Sequence, residues 1–152
     1  EYRRQRQMCI RDRCKRAITG DPKKKHQFLV RNIANLQNDH QLIHSIESIP
    51  KILYSRFFLH AVDELEENAF FDFAFKCTQP SDIIALEFRT HLDKNTPKWT
   101  KTHYRRYINP ELLINNVLEG YQCDLEYFAC GIGMAKYKND DAHVARIIFR
   151  KK

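Results

Sequence analysis

Histidine and carboxylate side chains are the groups in this chain that could do chemistry, and they fall at three places in the sequence. His60 lies close to an acidic run that ends at Glu67, Glu87 lies within an apolar stretch, and His103 follows that stretch after a polar segment. A neutral imidazole and carboxylates together can bind a divalent cation such as zinc, and they can exchange protons near neutral pH. These four residues form the predicted metal site. A solvated helix face is the alternative interpretation of Glu87 and of the acidic run.

The familiar motifs of catalysis and nucleotide binding are absent from the sequence. It contains no phosphate-binding loop, no H-E-x-x-H and no G-x-S-x-G. The segment Gly131-Ile132-Gly133 lacks the third glycine and the following helix of a dinucleotide fingerprint. The sequence therefore gives candidate residues without a defining motif.

Cysteine use leaves the redox compartment open. With Cys9 set aside, the chain has four cysteines, and they form no C-x-x-C pair and no zinc-finger spacing: Cys14, Cys77, Cys123 and Cys130. An even number is compatible with two disulfides in an oxidising compartment and equally with buried thiols in a reducing one.

Length and composition favour a single folded domain. Of 152 residues, 43% are hydrophobic and 12% are aromatic, which is enough to form a core. No apolar run reaches the roughly 18 residues of a membrane-spanning helix. We therefore expect a folded domain without a transmembrane segment.

The first 13 residues, EYRRQRQMCIRDR, differ from the rest of the chain. They show no helical or strand period, and they resemble a peptide that arises when sequencing-adapter DNA is translated with an open reading frame. We expect residues 1–13 to be foreign to the natural protein and residues 14–152 to form its single domain. The segment holds five arginines against two acidic residues, so +4 of the net charge of +7 belongs to the remainder. That excess lies largely near the ends, which is more typical of solvated termini than of a nucleic-acid groove.

Hydrophobic periodicity predicts helices in the first half of the chain. Asp21-Pro22 is typical of a helix start, because Asp can cap the helix and Pro suits its first turn. Apolar residues then recur at helical spacing, which predicts a helix over 22–37. The same spacing predicts a second helix over 55–65.

The pattern then changes to a period of two. Phenylalanines at 71, 73 and 75 alternate with smaller or polar residues, which predicts a half-buried strand. Helical spacing returns over 82–92 and again over 112–118. Gly120 suits a left-handed cap after the last of these helices.

The chain ends in a predicted antiparallel hairpin between Tyr127 and Phe149. Two apolar runs flank the polar turn 138–141, whose Asn and Asp tolerate unusual dihedrals. Small residues share one face of the first run: Ala129, Gly131, Gly133 and Ala135. Another layer could approach that face closely, so we expect the hairpin to be covered on both sides. The elements together predict an α/β fold, a three-layer α-β-α sandwich with a small antiparallel sheet.

Several segments resemble the CAP superfamily, the cysteine-rich secretory, antigen 5 and pathogenesis-related-1 proteins, over roughly residues 28–149. The segment IPKILYS at 49–55 resembles the lead-in to the family's second helix, and Glu67-Asn68 resembles part of its Gly-Glu-Asn motif. His103, in HYRRYI, resembles the family's second histidine. The segment ACGIGM at 129–134 resembles its Gly-Cys-Gly-Ile-Ala strand.

The resemblance implies a central cleft lined by two histidines and two acidic residues, which can hold zinc. Carried over by position, Glu67 and His103 are the better matches, and Glu87 and His60 would complete the group. The family's His-Thr-Gln-Val-Trp continuation is absent after His103, and the helix at 110–118 looks inserted.

The sequence is compatible with three functions. The resemblance implies a secreted, extracellular domain whose cleft binds a small apolar ligand or a protein or surface partner, and it implies no common catalytic reaction. The alternative is an intracellular nucleic-acid-binding module that uses the basic and aromatic segment 98–107. A hydrolase using Glu67 or Glu87 with His103 is the third hypothesis.

Overall fold

The computed structural model describes Leu29 and residues 31–98 and 104–152. Its helices are α1 (His40–Ile46), α2 (Glu64–Cys77) and α3 (Pro110–Gly120). Its strands are β1 (Ile52–Arg56), β2 (Ile83–Arg89), β3 (Cys123–Gly131) and β4 (Val144–Lys151). Short 3-10 helices lie at Ile33–Asn38, Leu59–Ala61 and His91–Asp93. Within the described residues, no helix has the length and apolar character to cross a membrane.

The four strands form one mixed sheet in the order β1-β2-β4-β3. Strands β1 and β2 run parallel and are connected through α2, as the long crossover between parallel strands requires. Strand β4 runs antiparallel to both of its neighbours, β2 and β3. The carboxyl ends of β1 and β2 therefore meet at one edge of the sheet.

The core lies between one face of this sheet and helices α2 and α3. Alternate residues of β2 point to that face, and they pair in register with alternate residues of β4. The buried sheet residues are Ile84, Leu86, Phe88, Ala145, Ile147 and Phe149. The helices contribute Phe70, Phe71, Ala74, Phe75, Leu113, Ile114 and Val117.

The opposite face of the sheet, called here the open face, is built differently. Its side chains are aromatic, aliphatic and charged, and they come from all four strands: Tyr54, Arg56, Glu87, Tyr127, Arg146 and Ile148. Tyr54 is 63% exposed, whereas Glu87 is only 5% exposed. The α/β class is confirmed, and the four-stranded sheet with its helices is consistent with the predicted α-β-α sandwich.

The strand predicted at residues 71–75 is wrong, because these residues belong to α2. Asp63 accepts from the backbone N–H of Glu66, while the side chain of Glu66 accepts from the backbone N–H of Asp63. This capping box favours a helix start. Phe71 faces the main core and Phe73 a second cluster with Ile43, so the helix is buried on two sides. Burial on two sides produced the misleading alternation.

The helices predicted over 55–65 and 82–92 are also wrong. The first region contains the end of β1, a 3-10 helix and the first residues of α2. The second contains β2, which lies between two other strands. A central strand is apolar along most of its length, so a spacing of four residues between Ile84 and Phe88 does not distinguish it from a helix.

The helix predicted over 112–118 is confirmed by α3, which Asn109 caps through its side chain. Gly120 is the last residue of that helix, and the cap after it is Tyr121 in an extended conformation, so the left-handed cap is wrong. Of the helix predicted over 22–37, the described part contains a 3-10 helix at Ile33–Asn38, and the earlier residues lie almost wholly outside the described ranges.

The terminal hairpin is confirmed by β3 and β4, but its small-residue face is not buried against a helix. Strand β3 lies at the edge of the sheet and ends at Gly131. Gly133 lies in the connection with φ of 80°, and a Cβ atom added there would meet no atom within 4 Å. Glycine at this position serves the backbone conformation rather than close packing.

Gly133→Ala should therefore destabilise the protein by about 1–2 kcal/mol through backbone strain, since L residues are disfavoured at positive φ. Urea unfolding monitored by circular dichroism measures the change. Gly133→Asn should cost less, because Asn tolerates this region. A loss as large for Asn as for Ala would contradict this explanation.

Candidate functional site

A strained residue begins the turn at the carboxyl end of β1. Phe57 has φ of 52°, a region that bulky side chains rarely adopt. Its backbone N–H donates to the carbonyl of Glu87 at 2.7 Å, which ties the turn to β2. Strained backbone persists where its surroundings hold it, and it is frequent at functional sites. Open α/β sheets also bind ligands beyond the carboxyl ends of their strands. This edge, named here the strand-end site, is the candidate functional site.

His60 is fixed within the strand-end site by three contacts. Its ring meets the ring of Phe57 edge to face, with 5.6 Å between centroids. Its Nδ1 accepts from the backbone N–H of Arg89 at 3.3 Å, and its carbonyl accepts from the backbone N–H of Arg106 at 2.8 Å. An accepting Nδ1 requires a neutral ring with the proton on Nε2.

Glu67 and Arg106 form an ion pair beside His60. The guanidinium of Arg106 donates to the carboxylate of Glu67. Together with Tyr107, Asn109 and Leu112 they line an open cavity of about 300 Å³. Burial raises the pKa of Glu67, and the nearby charge of Arg106 opposes this shift without cancelling it. The pKa of Glu67 is therefore closer to neutral pH than that of an ordinary carboxyl, which favours proton exchange by this group.

Arg89 ties the end of β2 to the turn of the terminal hairpin. Its guanidinium donates to Asp93 at 2.8 Å and to Asp140 at 2.7 Å, and both carboxylates are buried. Burial alone would lower the pKa of Arg89, but hydrogen bonds and charge from Asp140 and Asp93 outweigh it and raise the pKa. This network therefore fixes the end of β2, next to the strand-end site, to the residues around Asp93 and Asp140.

The structure brings together two of the four predicted metal ligands. The backbone carbonyl of His60 accepts from the backbone N–H of Arg106, and the carboxylate of Glu67 accepts from the guanidinium of Arg106, so both residues lie at the strand-end site. The side chain of Glu87 lies on the open face, where Arg56 and Arg146 each donate to it at 2.8 Å. His103 lies outside the described residues. Within the described part of the chain, no group of three or more His, Cys, Asp or Glu could hold a metal ion. The zinc site stays a prediction.

The basic segment 98–107 has internal partners where it is described. Lys98 donates to backbone carbonyls of Asp93 and Thr96, and Arg106 pairs with Glu67. Trp99 and Lys101 lie outside the described residues. The described contacts of Lys98 and Arg106 stabilise the fold, so the nucleic-acid interpretation loses two of the cations on which it depended.

The three described cysteines that the structure records as free are Cys77, Cys123 and Cys130. Burial raises the pKa of the thiols of Cys77 and Cys123, which suits unreactive side chains of the core. Cys14 lies outside the described residues.

Sequence reasoning missed Phe57, Arg89 and Arg106. No sequence signal marks a positive φ at a phenylalanine. Arg89 follows an apolar run whose spacing predicts a helix, and its partner Asp140 is 51 residues away. Arg106 was noticed only as part of a basic segment. The helix start at Asn109-Pro110, which follows Arg106 closely, was the sequence signal that the segment around Arg106 packs within the folded domain.

Comparisons with known proteins give structural likeness alone. No protein-family model matches the chain, and no curated protein matches it. Among solved structures, the fold is similar to a SAM-dependent methyltransferase of Methanosarcina mazei, with a TM-score of 0.62 and 13% identity over 90% of this chain and 74% of that one. It is also similar to a protein of echinomycin biosynthesis that takes part in converting a disulfide bond into a thioacetal group. That likeness has a TM-score of 0.53 and 11% identity, over 82% of this chain and 55% of the other.

The fold is therefore methyltransferase-like, and the resemblance to the CAP superfamily is wrong. The CAP motif that Glu67-Asn68 resembles is followed directly by a strand, whereas these residues lie inside α2 here. The secreted binding domain loses its support with this correction. The nucleic-acid alternative is weakened separately by the internal partners of Lys98 and Arg106, and the structural comparisons give it no support. The extracellular location rested on the same resemblance.

Proposed function

We propose that this chain belongs to a SAM-dependent methyltransferase, with the cofactor and the methyl acceptor held at the strand-end site. The observation that carries the proposal is the likeness to the methyltransferase of Methanosarcina mazei over 90% of this chain. The strained turn at Phe57 and the cavity at Glu67 lie where open α/β sheets bind ligands, which supports the same edge.

The described residues suit part of such a cofactor. Phe57 presents a partly exposed ring at this edge, on which an adenine ring could stack, whereas His60 is buried. The guanidinium of Arg56 lies 5.1 Å from the centroid of the Phe57 ring. The carboxylates Glu67, Asp93 and Asp140 are each paired with an arginine, so the ribose hydroxyls need other acceptors. When bound, the cofactor would supply an electrophilic methyl group.

Glu67 and Arg106 are the groups suited to the acceptor. A carboxylate with a raised pKa can take a proton from an acceptor hydroxyl or amine as its nucleophile forms. Arg106 can orient an anionic part of the same molecule, because its guanidinium already lines the cavity.

Calorimetric titration of the full chain with SAM and with S-adenosylhomocysteine tests the proposal. We expect both to bind, and Phe57→Ala to weaken binding about tenfold or more, since stacking of a base on an aromatic ring contributes about 1–3 kcal/mol. The exposed Tyr137 gives the matched control, and Tyr137→Ala should bind as the parent does. Absence of binding by a parent protein with intact circular dichroism would overturn the proposal, as would equal binding by the parent and Phe57→Ala.

A further inference from the structure

The open face contains a second cavity, apart from the strand-end site. It has a volume of about 320 Å³, and its lining includes Tyr54, Arg56, Glu87, Tyr127, Arg146 and Ile148. Helices α2 and α3 pack on the other side of the sheet. Cavities of this size with an apolar lining and a few convergent polar groups are typical of small-molecule sites.

Glu87 sets the arrangement of charge in this cavity. It stands directly between Arg56 and Arg146 in the register of three adjacent strands. One carboxylate oxygen accepts from Nε of Arg56 and the other from Nε of Arg146, both at 2.8 Å. Two guanidinium groups thus share one buried carboxylate, and the cluster keeps a net charge of +1.

The arginines keep donors that face the cavity. Each uses Nε for Glu87, and Arg146 donates a further bond to the carbonyl of Met134 at 2.5 Å. The terminal nitrogens of Arg56 make no hydrogen bond within the described residues, and its side chain is 53% exposed. A guanidinium with two free terminal donors matches the geometry of a carboxylate.

The remaining lining is aromatic and aliphatic. Tyr54 is 63% exposed and Tyr127 is 47% exposed, and in the register of the four strands Ala85 and Ile148 lie between them. Two large exposed rings beside a cationic cluster form a surface that suits a flat apolar body.

We propose that the open face binds a small aromatic carboxylate, whose carboxylate pairs with Arg56 and Arg146 and whose ring lies between Tyr54 and Tyr127. The net charge of +1 complements a monoanion. The two sites adjoin, because the guanidinium of Arg56 lies 5.1 Å from the centroid of the Phe57 ring. The test of the open face uses benzoate without SAM, so its outcome is separate from that of the proposed function.

Titration of the full chain with benzoate, followed by nuclear magnetic resonance, tests this site. We expect benzoate to shift the resonances of Tyr54 and Tyr127. Benzyl alcohol has the ring without the charge and should bind at least about tenfold more weakly, because it cannot form charge-assisted hydrogen bonds with the guanidinium groups.

Two variants and one control make the outcome decisive. Arg56→Gln should weaken benzoate binding about tenfold or more, and Tyr54→Ser should weaken it without abolishing it. Lys152→Gln removes an exposed cation elsewhere and should bind as the parent does. Equal binding of benzoate and benzyl alcohol would overturn the proposal, and so would parental affinity in Arg56→Gln. Inorganic phosphate binding as tightly as benzoate would overturn the part assigned to the rings. A concentration-dependent dimer that excludes benzoate would assign the face to a second copy instead.

Discussion

Replacing Arg89 with Met should lower the free energy of unfolding by about 3–5 kcal/mol, the cost of leaving a buried charge without its partner. Asp93 is 0% exposed and Asp140 is 5% exposed, and the guanidinium of Arg89 donates to both. Lys98 lies 3.4 Å from Asp93 and would compensate only that carboxylate. Because the free energy of unfolding of a domain is about 5–15 kcal/mol, this single change would remove a large part of the stability.

Urea denaturation at neutral pH measures the loss as a shift of the midpoint at unchanged slope. Lys152→Met is the matched control, because Lys152 and Asp124 form an ion pair in which both side chains are more than half exposed. Such pairs contribute about 0–1 kcal/mol. Similar losses in the two variants would mean that the Arg89 network is no more important than a surface pair.

The elements that the sequence predicted well are those with clear local signals. Asn109-Pro110 marks the start of α3, and the polar turn at 138–141 marks the hairpin. Helix α2 shows the opposite case. Its phenylalanines contact two different clusters, and this places apolar residues at alternate positions as in a strand. The period of apolar residues along the sequence reflects how many faces of an element are buried. It distinguishes a helix from a strand only when a single face is buried.

The candidate site was predicted in part. His60 and Glu67 were named from residue type, and the structure places both beside Arg106. Glu87 was named for its apolar neighbours, but β2 turns its side chain to the open face, where alternation along the strand directs it. The strain at Phe57 could not be predicted, since it results from contacts with β2 that are distant in sequence.

The pH dependence of stability provides the second large effect, through Asp82. This buried carboxylate joins the starts of β1 and β2: it accepts from the backbone N–H groups of Lys51 and Gln79 and from the Lys51 ammonium, at 2.8–2.9 Å. Burial alone would raise the pKa of Asp82, but the hydrogen bonds from Gln79 and Lys51 and the charge of Lys51 outweigh it and lower the pKa. A carboxyl whose pKa is lower in the folded state stabilises the fold above its unfolded pKa, near about 3.9, and this contribution is lost as the pH falls through the folded value.

Asp82→Asn should therefore lower the free energy of unfolding by about 1.5–3 kcal/mol at pH 7, the contribution of hydrogen bonds to a charged group. The difference from the parent should shrink as the pH falls below about 4, because the carboxyl of the unfolded parent then takes up a proton, whereas the folded carboxyl does so only at lower pH. Urea unfolding at a series of pH values from neutral to acidic measures both quantities. Asp124→Asn removes an exposed carboxylate and should leave the curve close to that of the parent. A difference between Asp82→Asn and the parent that stays constant across this range would show that the lost contribution comes from shape or packing and not from the charge of Asp82.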